Sequence, residues 1–271
     1  MNTAKSKSGK IIWVVLAVVL IAFLSVSAWL SLPAFRKNSK GASDTIVSNT
    51  SSTQQFFKVR PYIVASSEDK AAAYAEKLGI PNTQYEYASS NVMRIENGVW
   101  KGMETTELKE KYAHFLLPND VTAIDAAPTS DIKAISTVYI LSITADEGSN
   151  LESLAGATSE ASTLGGGWLE RLDLINATKL KTIPAYTFKT CNRLQHVILP
   201  NHITSIGDSA IVGNALCHIS LPSGLGADGA GLHVNAFKDS GKLVDIELPA
   251  NANSTFVNKV NGLATISDVY M

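Results

Sequence analysis

The sequence is poor in cysteine: Cys191 and Cys217 are the only two in 271 residues. That excludes a disulfide-dense scaffold and a four-cysteine zinc site. It is also poor in charge, at 17%, with neither sign in excess: 23 basic against 24 acidic side chains give a formal net charge of −1. Nucleic-acid binding needs a concentrated basic face, so no nucleic-acid partner is expected. Over 56–110 no paired acid and base groups and no nucleophile with an orienting base are recognisable, so no enzymatic activity or cofactor is expected. His196 and His218, with Asp173 or Asp245, have ligand types that suit zinc or copper but no fixed third ligand, so no metal is expected. The 45% apolar content rules out a wholly disordered chain.

What is present begins with an address. Residues 11–32, IIWVVLAVVLIAFLSVSAWLSL, form an uncharged run of 22 residues, long enough to span a hydrocarbon core of about 30 Å. Trp13 and Trp29 lie near its ends, where indole rings favour the membrane interface. Lys5, Lys7 and Lys10 precede it and Arg36, Lys37 and Lys40 follow it. The short N-terminal tail favours an orientation with the bulk of the chain outside the cytoplasm. Two readings stand: a retained transmembrane anchor, or a signal peptide cut after Ala28, where Val26 and Ala28 supply the small residues. Both predict a membrane-anchored or secreted, cell-surface location. The Ser/Thr/Asn-rich stretch within 33–55 cannot bury enough apolar surface to offset chain entropy and is expected to be a flexible stalk.

A repeat starts near Tyr112. Six segments share the pattern apolar-x-x-apolar-x-apolar: 112/115/117, 138/141/143, 169/172/174, 194/197/199, 216/219/221 and 243/246/248. Their last members, Leu117, Ile143, Leu174, Leu199, Leu221 and Leu248, are 26, 31, 25, 22 and 27 residues apart, in the range of leucine-rich repeats. The fourth and sixth positions point the same way from a strand, and only stacked copies can bury them. Pro118, Pro200, Pro222 and Pro249 each follow the last strand position, where a missing N–H ends the ladder. Phe188, Ile211 and Phe237 recur on the return limb and are expected in the core.

TIPAYTFKTCNRLQHVILPNHITSIGDSA resembles the BspA-type leucine-rich repeats of microbial surface proteins. Leu194, Val197, Leu199, Pro200, Ile203, Ile206, Gly207 and Ala210 match the unit in one turn, and Thr187, Phe188 and Cys191 in the turn before. The resemblance is specific over about 169–248, weaker over 112–168, and absent from 1–110. It implies an extracytoplasmic protein-interaction or adhesion role and transfers no catalytic residue.

Residues 56–110 read as a small α/β cap or an independent small domain. A helix is expected over 66–79, from its Ser cap, acidic first turn and closing Gly79. A second short helix is expected over 103–112. QYEYA and VMRIENGVWKGM read as strands, with Asn97-Gly98 as a hairpin turn. The fold class expected is α+β: a leucine-rich-repeat β-solenoid of about six turns behind that cap, preceded by one transmembrane helix or signal segment. The boundaries are 1–10 cytoplasmic tail, 11–32 anchor or signal, 33–55 stalk, 56–110 cap, 111–256 repeats and 257–271 C-terminal cap.

Two residues per repeat strand are expected to face away from the core. One column is His114, Ile140, Arg171, His196, His218 and Asp245; the other is Leu116, Ser142, Asp173, Ile198, Ser220 and Glu247. The candidate ligand-binding face is His114, Arg171, Asp173, His196, Ile198, His218, Asp245 and Glu247, offered to a protein or cell-surface partner. A structural envelope role without a specific ligand is the alternative, and an enzyme seated in 56–110 the third. Gly224, Gly226 and Gly229 spell G-x-G-x-x-G after a strand, but no helix pattern follows to hold a pyrophosphate. Cys191 reads as a buried apolar residue, out of register with Cys217 for a disulfide.

Overall fold

The computed structural model describes residues 60–125, 133–155, 166–212, 215–263 and 268–270. The apolar run 11–32, the stalk 33–55 and residues 156–165 lie outside the described residues. Among the described residues no helix is long and apolar enough to cross a membrane.

Strand β1 (Tyr62–Ala65), helix α1 (Glu68–Leu78) and strand β2 (Glu86–Ser89) form a crossover unit with β1 and β2 parallel. The helix forms where its caps require. The Ser67 side chain accepts from the Lys70 N–H, and Glu68 and Asp69 sit in the first turn. Gly79, at φ 72°, closes the last turn with its N–H on the Ala75 and Glu76 carbonyls. Strands β3 (Met93–Glu96) and β4 (Val99–Met103) pair antiparallel across Asn97 (φ 51°) and Gly98 (φ 78°), as their turn chemistry predicts.

The helix expected over 103–112 does not form; the segment is a run of turns. Glu110 takes φ 58° and donates its N–H to the Thr137 carbonyl. Leu108 is fully buried. Tying these residues to the next coil outweighs a helical preference of a few tenths of a kcal/mol per residue.

Then come β5 (Tyr112–Leu117), β6 (Ala123–Ile124), β7 (Tyr139–Ala145), β8 (Ser153–Leu154), β9 (Arg171–Asp173), β10 (Thr182–Ile183), β11 (His196–Ile198), β12 (Ser205–Ile206), β13 (His218–Ser220) and β14 (Asp245–Glu247). Helix α2 (Ser254–Asn261) and β15 (Asp268–Tyr270) follow. The front strands make one parallel sheet in the order β11-β9-β7-β5-β1-β2, so β1 and β2 share a sheet with β5 and the strands after it. Strands β13, β14 and β15 continue as a second parallel sheet, and the ladder is interrupted between β11 and β13. On the return limb the two-residue strands β6 and β8 join β4, and β10 pairs with β12. Mostly parallel strands stacked in chain order, with few helices, are compatible with a repeat solenoid.

One apolar core runs through these coils, from Val64 on β1 to Val260 on α2. Trp100 and Phe115 are buried with ring centroids 4.9 Å apart. Phe188, Ile211 and Phe237 are buried on the return limb, as expected. Polar side chains stitch coil to coil after the strands. The Asn150 amide donates to the Asn119 carbonyl at 2.8 Å, Asn176 to Ala145 at 3.2 Å and Asn251 to Ser223 at 3.3 Å. Cys191 is fully buried, Cys217 is exposed, and no disulfide joins them.

The register of β7 differs from the sequence reading. Ser142 pairs with Arg171, Ile143 with Leu172 and Thr144 with Asp173. A bulge at Ala113/His114 carries the shift on β5. Ile140, expected on the outer column, is therefore fully buried in the core. Ser142 moves to the column of Arg171, and Thr144 joins that of Asp173.

Candidate functional site

The side of the front sheet away from the core is covered at one end and open at the other. Helix α1 lies over the first strands, burying Ala71, Tyr74 and Ala75 against Ile63, Ala65 and Leu116. Leu116, expected on an open column, is 7% exposed for this reason. The Tyr74 hydroxyl reaches across to β7 and lies 2.7 Å from both the Ser142 and Thr144 hydroxyls. Burial raises the Tyr74 pKa, against the opposing effect of those two hydrogen bonds. Lys70 on the same helix pairs with Asp146 after β7.

His114 lies in this covered zone, its Nδ1 2.8 Å from the Ser142 hydroxyl. Desolvation lowers its pKa to about 4. The folded state therefore resists a proton that the unfolded chain takes up near pH 6.5. The stability held above pH 6.5 is lost as pH falls toward 4. Between pH 7 and pH 5 this group removes about 2 kcal/mol at most. Urea midpoints of wild type and His114→Gln at the two pH values check this. The variant is expected to lose less stability on acidification than wild type, and an equal loss in both would refute the assignment to His114.

Beyond α1 the face opens. Arg171 and Asp173 stand two apart on β9 and pair at 3.3 Å. His196 stands beside Arg171 and Ile198 beside Asp173 on β11, both exposed. Past the interruption, His218 faces Asp245 and Ser220 faces Glu247 across the β13–β14 ladder. His218 Nδ1 is 3.1 Å from Asp245 and its Nε2 is 3.3 Å from the Ser220 hydroxyl, which donates to Glu247 at 2.5 Å. The order Ser, His, Asp is that of a nucleophilic triad. Here the serine proton goes to Glu247 and the group sits on an exposed strand face, so the arrangement is a surface hydrogen-bond chain. Among the described residues no group of three His, Cys, Asp or Glu side chains could hold a metal ion.

Two features escape a reading by columns. A cleft of about 660 Å³ runs between α1 and β9, lined by Ala73, Tyr74, Lys77, Thr144, Arg171 and Ile175 among others. Only the packing of α1 creates it. At the leading ends of the strands, Tyr112, Tyr139 and Trp168 form a ring cluster with centroids 5.0–5.2 Å apart, and the Arg193 guanidinium lies 5.1 Å over Trp168. The sequence signal for it is an aromatic just before or at the start of three successive strands.

The G-x-G-x-x-G glycines have a structural use. A Cβ on Gly224 would lie 2.4 Å from the Ile203 carbonyl oxygen of the adjacent coil, and Gly226 and Gly229 take φ 89° and 66°. The loop packs against its neighbour, and a 3₁₀ turn rather than an α-helix occupies 223–225.

No curated protein and no solved structure matches the chain. The family model of the BspA type leucine rich repeat region matches residues 169–270 in six copies. It begins just before β9, whereas the parallel sheet continues upstream through β7 and β5. The segment 169–270, which bears the open positions of the face described above, is similar to the BspA type leucine rich repeat region.

Proposed function

We propose that the chain is a non-enzymatic binding module, a leucine-rich solenoid of about six turns that holds a protein or cell-surface partner on its open strand face. The observation that carries this reading is the composition of that face. Ile175 and Ile198 are 48% and 37% exposed beside Arg171, Asp173 and His196. Exposed apolar side chains set among charged ones suit a partner surface better than bulk water does. Leucine-rich repeat regions commonly mediate protein–protein contact, which supports the same reading. Residues 56–110 act as a cap, 111–256 as the repeats and 257–271 as the C-terminal cap. Residues 11–32 anchor the chain or direct its export, and 33–55 space the module from the membrane, outside the cytoplasm.

The test is capture of surface proteins and matrix extracts by the immobilised full chain. The comparison is a variant with Arg171, Asp173, His196 and His218 changed to Ala at matched circular dichroism. Saturable capture weakened about tenfold or more in the variant is expected. Equal capture by both forms would move the site off this face, and no saturable capture by either would favour a structural envelope role.

A further inference from the structure

We infer that the cleft between α1 and β9 seats an amphipathic helix of the partner, lying alongside α1 on the sheet. The inference rests on the binding-face reading and names the form of what binds there.

The face already carries one such helix. Helix α1 packs on β1 with Ala71, Tyr74 and Ala75 inward. Neighbouring strands are about 4.8 Å apart, and helices packed side by side are about 8–10 Å apart. The next helix position is therefore about two strands along from β1, over β7. The cleft is there: Thr144 and Ala145 of β7 and Arg171 and Asp173 of β9 form its floor. One wall is the exposed side of α1, where the small Ala73 permits close approach. The far rim carries Ile175, 48% exposed, as a contact for an apolar stripe.

Charge sets the direction. Lys70 is held by Asp146 and Arg171 by Asp173. The remaining charged lining residues are Glu147, beyond the end of β7, and Lys77. Lys77 lies seven residues along α1 from Lys70, about 10 Å away. A helix has a positive N-terminus and a negative C-terminus. It fits with its N-terminus at Glu147 and its C-terminus at Lys77, parallel to α1. An extended strand has no macrodipole to match this polarity and needs an open sheet edge rather than a face.

The experiment uses the full chain and two displayed libraries of peptides about 14 residues long. One is locked as helices and randomised on one face; the other has the same composition and a central proline. The helix-locked library is expected to enrich binders that weaken about tenfold or more on Ala73→Arg and on Ile175→Asp. Val234→Asp, at an exposed position outside the cleft lining, should leave them unchanged. Enrichment from the proline library alone, helical binders indifferent to both cleft substitutions, or no enrichment would each overturn the inference. So would a dimer of the chain that Ile175→Asp dissolves, because a second copy would then be the occupant. If the four-residue variant still loses extract capture while no helical binder emerges, the binding face stands and the helix falls.

Discussion

Leu172→Asp is expected to abolish cooperative folding of the repeat region. Leu172 is 1% exposed on β9, held in register between Ile143 of β7 and Val197 of β11. An aspartate there is either an ionised group without a partner in an apolar core or a protonated one with unmade hydrogen bonds. Such changes cost about 4–5 kcal/mol or more, against a total stability of about 5–15 kcal/mol for a domain. Each coil is stabilised by its neighbours, so the damage spreads to both sides of β9. Arg171→Ala, one residue earlier on the opposite face, removes a partly exposed ion pair worth about 0–1 kcal/mol. Thermal melts by circular dichroism compare the two. A Leu172→Asp melt within a few degrees of wild type would mean that β9 presents the other face to the core.

Gly231→Ala is expected to destabilise by about 2–4 kcal/mol. A Cβ at this position would sit 2.0 Å from the Thr204 carbonyl oxygen, a backbone atom of the preceding coil. The coils must separate to admit it. Separation strains the bond from the Ile206 N–H to the Gly231 carbonyl, 2.9 Å long. Gly241 is the control: a Cβ there meets nothing within 4 Å, and its φ lies outside the left-handed range. Gly241→Ala should be neutral or stabilise by about 0.4–1 kcal/mol, by restricting the unfolded chain. Denaturant midpoints decide. Equal effects at the two positions would show that the 223–231 loop is not packed against its neighbour, and would reopen a phosphate-cradling use of its glycines.

Features with a short-range cause were legible before folding. Ser67, Glu68, Asp69 and Gly79 mark the ends of α1, and Asn97-Gly98 marks its hairpin, because each acts within about four residues of chain. The fourth and sixth repeat positions, such as Leu172 and Leu174 or Ile219 and Leu221, are buried because a period-two strand in a stack has one inner side. Two segments depart from their local pattern, each for its own reason. YILSITA offers apolar residues in two registers two residues apart, so the pattern alone could not choose between Leu141 and Ile143 as the partner of Leu172. Over 103–112, helix-favouring letters were outweighed by the burial of Leu108 and the bond from Glu110 to Thr137.

The site divides along the same line. By itself the sequence determined the repeat over 169–270 and which residues of β9, β11, β13 and β14 lie on the inner and outer sides, because alternation along a strand is local. It could not distinguish His114 from Arg171, which hold equivalent positions in their repeats. The tertiary structure decided that α1 covers one and leaves the other open. Tyr74 reaches residues 68 and 70 positions away in the chain, and burial of that kind follows from what packs on a surface, not from the surface's own periodicity.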